Sequence, residues 1–124
     1  MTDVTGFGVL GHLLEMCRGS ALGAEVQFEA LPLLTQAHRL AISGVGTGGA
    51  KRNWTSYGHE VELPESAPDW WRGILCDPQT SGGLLIACSQ ESVPEVLDLL
   101  RNRSAVSAKV IGEISDQRAN VQVR

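Results

Sequence analysis

The sequence contains no apolar run approaching the ~20 residues that a membrane-spanning helix needs, and it lacks the basic start and apolar middle of a secretory leader. A cytoplasmic protein without membrane partners is the expectation. Positive charge is also scarce. Ten Lys and Arg against fourteen Asp and Glu leave a net charge of −4, which offers no broad basic field for nucleic acid or anionic lipid. The pair Lys51-Arg52 is short and local. Cysteine is both rare and odd in number: Cys17, Cys76 and Cys88 are too far apart for a CxxC metal site and do not make a disulfide framework. Each falls among apolar neighbours, so all three are expected to be reduced core residues.

Two nucleotide signatures are missing or empty. No GxxxxGK[ST] is present, so there is no Walker A loop. Gly6-Phe7-Gly8-Val9-Leu10-Gly11 does satisfy GxGxxG, with Glu25 or Glu29 near the spacing of a ribose-binding acid. A dinucleotide fold, however, needs a buried strand to deliver the first glycine, and Met1 to Thr5 leave no room for one.

The chain is long enough for one domain: at 124 residues, folding buries roughly two thirds of the surface the open chain exposes. A composition of 43% hydrophobic and 19% charged residues is that of an ordinary globular protein. Leu10, Leu13, Leu14 and Cys17 recur at helical spacing, and residues 19–23 should stop that helix. His12 within it reads as a surface or satisfied core residue. Ala24, Val26 and Phe28 alternate with Glu25, Gln27 and Glu29, as in a strand with one wet face. Residues 33–43 return to helical spacing, with Gly44 as a C-cap.

Further along, residues 58–69 read as an irregular link, and Trp70 and Trp71 as core or interface groups. Leu84 to Cys88 reads as a fully buried strand. Ser92, Pro94 and Glu95 open a helix that ends near Arg101 and Arg103. Ala108 to Ile114 predicts a strand, residues 116–120 a turn, and Val121 to Val123 an edge strand closing an antiparallel hairpin. The interleaving predicts an α+β domain with a mixed, largely antiparallel sheet layered with helices.

Three stretches could carry chemistry. Thr2-Asp3-Val4-Thr5-Gly6-Phe7-Gly8 holds a carboxylate on a glycine-rich turn ahead of a helix. Asp3 can cap that helix, or it can serve a hard cation such as Mg2+, although one carboxylate alone does not complete such a site. Gly44 to Asn53 contains several glycines beside Lys51 and Arg52, and two readings stay open. Thr47, Gly48, Gly49 and Lys51 can cradle phosphate oxygens, or the stretch is a mobile connection, with Asn53, Thr55, Ser56 and Tyr57 as fixing groups and Trp54 packed. Asp77-Pro78-Gln79-Thr80-Ser81-Gly82-Gly83 reads as a rigid polar loop, of the kind that shapes sites.

The stretches Thr2 to His12 and Leu75 to Leu85 together resemble selenophosphate synthetase, also called selenide, water dikinase. Gly48-Gly49-Ala50-Lys51-Arg52-Asn53 and Val110 to Ile114 agree with the same family. The resemblance is to the C-terminal half of that enzyme, which is similar in architecture to aminoimidazole ribonucleotide synthetase. It implies an enzyme that forms selenophosphate, AMP and phosphate from selenide, ATP and water with Mg2+, and a homodimer at full length.

By the same resemblance, Asp3 matches a metal-binding aspartate. The reactive cysteine or selenocysteine, a lysine, most of the ATP site and further metal aspartates belong to an N-terminal half. No catalytic residue is therefore expected here, and Met1 reads as a start introduced at a domain boundary. The chain's own N-terminal domain is the implied partner. The competing expectation is a freestanding binding or regulatory module that reuses the fold without chemistry.

Overall fold

A computed structural model describes residues 1–105, 107–116 and 120–124. Among these residues the chain forms strands β1 (Thr2–Asp3), β2 (Gly23–Val26), β3 (Val61–Glu62), β4 (Leu84–Leu85), β5 (Gly112–Ser115) and β6 (Val121–Val123). The helices are α1 (Gly8–Ser20), α2 (Thr35–Ile42), α3 (Gly48–Tyr57), α4 (Trp70–Leu75) and α5 (Val93–Asn102). The expected α+β class with a mixed sheet holds, but the larger sheet is not largely antiparallel: two of its three strand pairings are parallel.

The larger sheet has the order β3-β6-β2-β5. β6 runs parallel to both β2 and β3, and β5 runs antiparallel to β2. Strand alternation sends Ala24, Val26, Val61, Val121 and Val123 to one face, where all are buried. α1 supplies the opposing layer: Leu10, Leu14 and Cys17 have no exposed surface at all. It ends where Ala21 turns into the left-handed region at φ 56° and its N–H caps Arg18 and Cys17 carbonyls. Phe28 follows β2 into the core, stacked on Trp71 at 3.9 Å between ring centroids and met edge-on by Trp70.

Several expectations need correction. Val121 to Val123 is an inner strand rather than an edge, and it forms no hairpin with β5; the expected turn's residues 117–119 lie outside the described residues. The tail is drawn inside because Val121 and Val123 add two fully buried side chains between β2 and β3. The link at 58–69 contains β3, which a two-residue strand had no length to signal.

Leu84 to Cys88 pairs only over Leu84–Leu85, against β1, and both Leu84 and Cys88 are exposed. Apolar content alone had marked that run as buried. α5 forms with Pro94 in its first turn but carries no buried residue, and Leu99 is 59% exposed.

Candidate functional site: a polar recess between the first strand and the Asp77 loop

β1 and β4 form a separate two-stranded ribbon, with Asp3 opposite Leu84. Its short length brings the N-terminal turn against the loop at residues 77–83. Val4 N–H donates to Gly83 O at 2.9 Å, and Gln79 N–H to Thr5 O at 3.0 Å. Between them lies a recess of about 190 Å³ whose polar lining is Asp3, Thr5, Thr80 and Ser81. Asp3 is exposed. The two stretches that carry the family resemblance thus meet across one opening.

α3 ties this arrangement together. Gly44 to Asn53, expected as a phosphate cradle or a mobile connection, divides in two: residues 44–47 are a connection, and Gly48 to Asn53 is the first part of a regular helix. Thr47 is its N-cap: the hydroxyl accepts from Ala50 N–H at 3.0 Å and donates to Asp77 Oδ1 at 2.8 Å. The other Asp77 oxygen accepts from Gln79 Nε2 at 2.8 Å.

The glycines here serve close approach. A Cβ on Gly49 would lie 2.4 Å from Pro78 Cγ. Gly8, at φ +70°, would place one 2.7 Å from the Cys76 carbonyl carbon.

Asn53 sits at the junction of all three stretches. Its Nδ2 donates to Gly6 O and to Cys76 O, both at 2.9 Å. One turn on, the Tyr57 hydroxyl donates to Phe7 O. Burial, then its hydrogen bond with Cys76, holds the Tyr57 phenol protonated far above its ordinary range.

Burial raises the Cys76 thiol pKa, an effect only partly offset by Tyr57, and also raises that of Cys17; neither is a ready thiolate. Those two are buried as expected. Cys88 is not: it is exposed, because the strand that would have buried it stops at Leu85.

Of the residues expected to carry chemistry, Asp3 lines the recess, while Thr47, Gly48, Gly49 and Lys51 lie at the start of α3, on the far side of the Asp77 loop. Lys51 is exposed, and the Thr47 hydroxyl is engaged within the protein. The oxygen donors around Asp3 suit a hard cation, but no group of three His, Cys, Asp or Glu is gathered among the described residues. The recess fits one corner of a Mg2+ site.

His12 was expected to be a surface or a satisfied core residue; it is buried, and both its ring nitrogens are engaged, with Thr5 and Glu15. Sequence reading missed that partnership; it named Asn53 as a fixing group but not the two carbonyls it reaches. The three-residue spacing of His12 and Glu15 on a helix was the available signal for the first.

Fold and recess define a class: an α+β domain that presents one carboxylate and a hydroxyl-rich loop at an open rim. The family model for AIR synthase related protein, C-terminal domain, matches residues 1–124. The chain belongs to that family.

It is similar to selenide, water dikinases. It is 49% identical to that of Burkholderia pseudomallei, 48% to that of Paraburkholderia xenovorans and 47% to that of Rhizobium meliloti, each over 123 residues. Each match covers 99% of this chain and 35% of the relative, so the chain spans about a third of the length of these proteins. No helix among the described residues is long and apolar enough to cross a membrane.

Proposed function

We propose that this chain is the C-terminal domain of an ATP-dependent selenophosphate synthetase, one that converts selenide, ATP and water to selenophosphate, AMP and phosphate. The observation that carries the reading is the 49% identity with a selenide, water dikinase over 99% of the chain, a span that takes in both sides of the recess.

In this reading Asp3 gives one oxygen ligand to Mg2+, which when bound neutralises charge on the phosphoryl groups being transferred. Thr5, Thr80 and Ser81 orient water or phosphate oxygens within the recess, and the N-terminal end of α3 at Thr47, Gly48, Gly49 and Lys51, outside that recess, is a second place where phosphate oxygens bind. The remaining carboxylates, the reactive thiol or selenol and most of the ATP site come from the chain's own N-terminal domain, and the assembled enzyme is a cytoplasmic homodimer. The exposed Leu84, Leu99 and Val110 are apolar surface of the kind a partner domain covers.

The test replaces the matching third of the Burkholderia pseudomallei dikinase with this chain and measures selenide-dependent AMP release. The chimera is expected to turn over and the 124-residue chain alone to be inactive. Turnover by the chain alone would mean that a complete site lies within it, and a folded but inactive chimera would remove the dikinase reading.

A further inference from the structure

The side chains of Thr5, His12 and Glu15 stand in a line. Thr5 Oγ1 lies 3.0 Å from His12 Nε2, and His12 Nδ1 lies 3.0 Å from Glu15 Oε2. The two ends differ in environment. Thr5 is exposed and lines the recess beside Asp3, whereas the Glu15 carboxylate is 53% exposed on the outer side of α1. The His12 side chain between them is 9% exposed and lies against the Phe7 ring at 5.8 Å.

An ionised carboxylate only accepts hydrogen bonds, so Glu15 places the proton of a neutral ring on Nδ1. Nε2 then carries a lone pair, and the only hydrogen bond it can make to Thr5 is to accept the hydroxyl proton. The Thr5 oxygen keeps its own lone pairs, and Thr5 is one of the residues that line the recess. Its main chain is fixed as well, since Thr5 O accepts from Gly8 N–H and Gln79 N–H.

We propose that Thr5, His12 and Glu15 form a hydroxyl–imidazole–carboxylate relay that withdraws a proton from a water or hydroxyl bound in the recess beside Asp3. In the step, the bound water's O–H bond breaks as its proton passes to Thr5 Oγ1, and the Thr5 proton passes to His12 Nε2. Hydroxide remains in the recess, and imidazolium is left paired with Glu15. No oxidant or further reactant is consumed. Thr5 meets the reacting molecule; His12 and Glu15 act through it as positioning residues, the logic of a catalytic triad. That the hydroxide attacks a phosphoanhydride rests on the dikinase reading. The relay itself does not.

The test has one arm for each. On the 124-residue chain at pH 8, nitrogen-15 spectra of His12 are expected to show the Nδ1–H tautomer, and Nε2–H would overturn the relay. Treatment with p-nitrophenyl acetate, followed by peptide mapping, is expected to acetylate Thr5 about tenfold faster than Thr80, an exposed hydroxyl of the same recess. Glu15→Gln should erase that advantage with the backbone spectrum unchanged; equal rates at Thr5 and Thr80 in the unmodified chain would overturn the proposal.

In the chimera, Glu15→Gln and Thr5→Val are expected to lower kcat at least about tenfold while leaving KM for ATP within about twofold. Unchanged kcat in both would overturn the relay's part in the reaction. An inactive parent chimera would sink only the dikinase reading, and the acetylation rates would still decide the relay.

Discussion

Replacing Asn53 with alanine removes one amide and should loosen three stretches at once. Its Nδ2 serves two carbonyls, Gly6 O and Cys76 O, which differ in their access to water. Cys76 has no exposed surface, so its abandoned carbonyl has no easy replacement partner, at a cost of about 1–3 kcal/mol. Gly6 is exposed and water can take over there, which limits that loss to about 1 kcal/mol or less. Alanine favours a helix interior over asparagine and returns roughly 0.5 kcal/mol to α3. The net loss is about 2 kcal/mol, or a Tm lowered by roughly 8 °C in a domain of this size.

Urea denaturation of the 124-residue chain measures the loss as a shift in midpoint at unchanged slope. Asn120→Ala is the control, since among the described residues that amide reaches Glu62 alone, in an exposed pair, and its effect should stay within about 0.5 kcal/mol. Equal midpoints for Asn53→Ala and Asn120→Ala would refute the claim that Asn53 clamps the turn, the helix and the loop together.

Three further outcomes follow from the same packing. Gly49→Ala should destabilise by about 1–3 kcal/mol in a chemical melt, because the new Cβ would lie 2.4 Å from Pro78 Cγ; a neutral result would mean that Pro78 is free to yield. Leu10→Ala should lose about 2–5 kcal/mol from the core, whereas Leu99→Ala, at a side chain 59% exposed, should stay within about 0.5 kcal/mol by the same melt.

Glu60, held below the ordinary carboxylate range first by its hydrogen bond from Arg18, stabilises the fold above its unfolded value of about 4.5 and loses that contribution as pH falls through its lower folded value. Acid titration should therefore show native protein exceeding Glu60→Gln in stability at pH 7, with the gap closing below about pH 4. The gap is small because both side chains are partly solvated. A gap that persists in strong acid would contradict this.

How much of the architecture could be read in advance depended on the strength of each local signal. α1 and β2 were legible because Leu10, Leu14 and Cys17 keep helical spacing and Ala24, Val26 and Phe28 keep strand spacing, and all six are buried. The order of the sheet was not, since nothing in Val121-Gln122-Val123 says that its neighbours are β2 and β3 rather than β5.

Within Gly44 to Asn53, glycine concealed the helix that begins at Gly48. There it permits contact with Pro78 at the start of a helix, and the Thr47 cap was the truer sign. At the recess, the acid and the hydroxyl-rich loop were both visible as residue types. Their meeting depends on a two-residue ribbon and on Asn53, a side chain whose reach to two distant carbonyls no spacing rule encodes.

The account rests on Asp3 acting as one ligand of a cation site completed by another part of a longer protein. Selenide-dependent AMP release by the Burkholderia pseudomallei chimera, with and without Asp3→Asn, tests it most directly. The substitution swaps one charged oxygen for an amide on an exposed side chain, so the fold should be kept and the melt unchanged. The expected result is a fall in turnover of at least about a hundredfold, with partial recovery at high Mg2+. Turnover within about twofold of the parent chimera, at every Mg2+ concentration, would contradict the account.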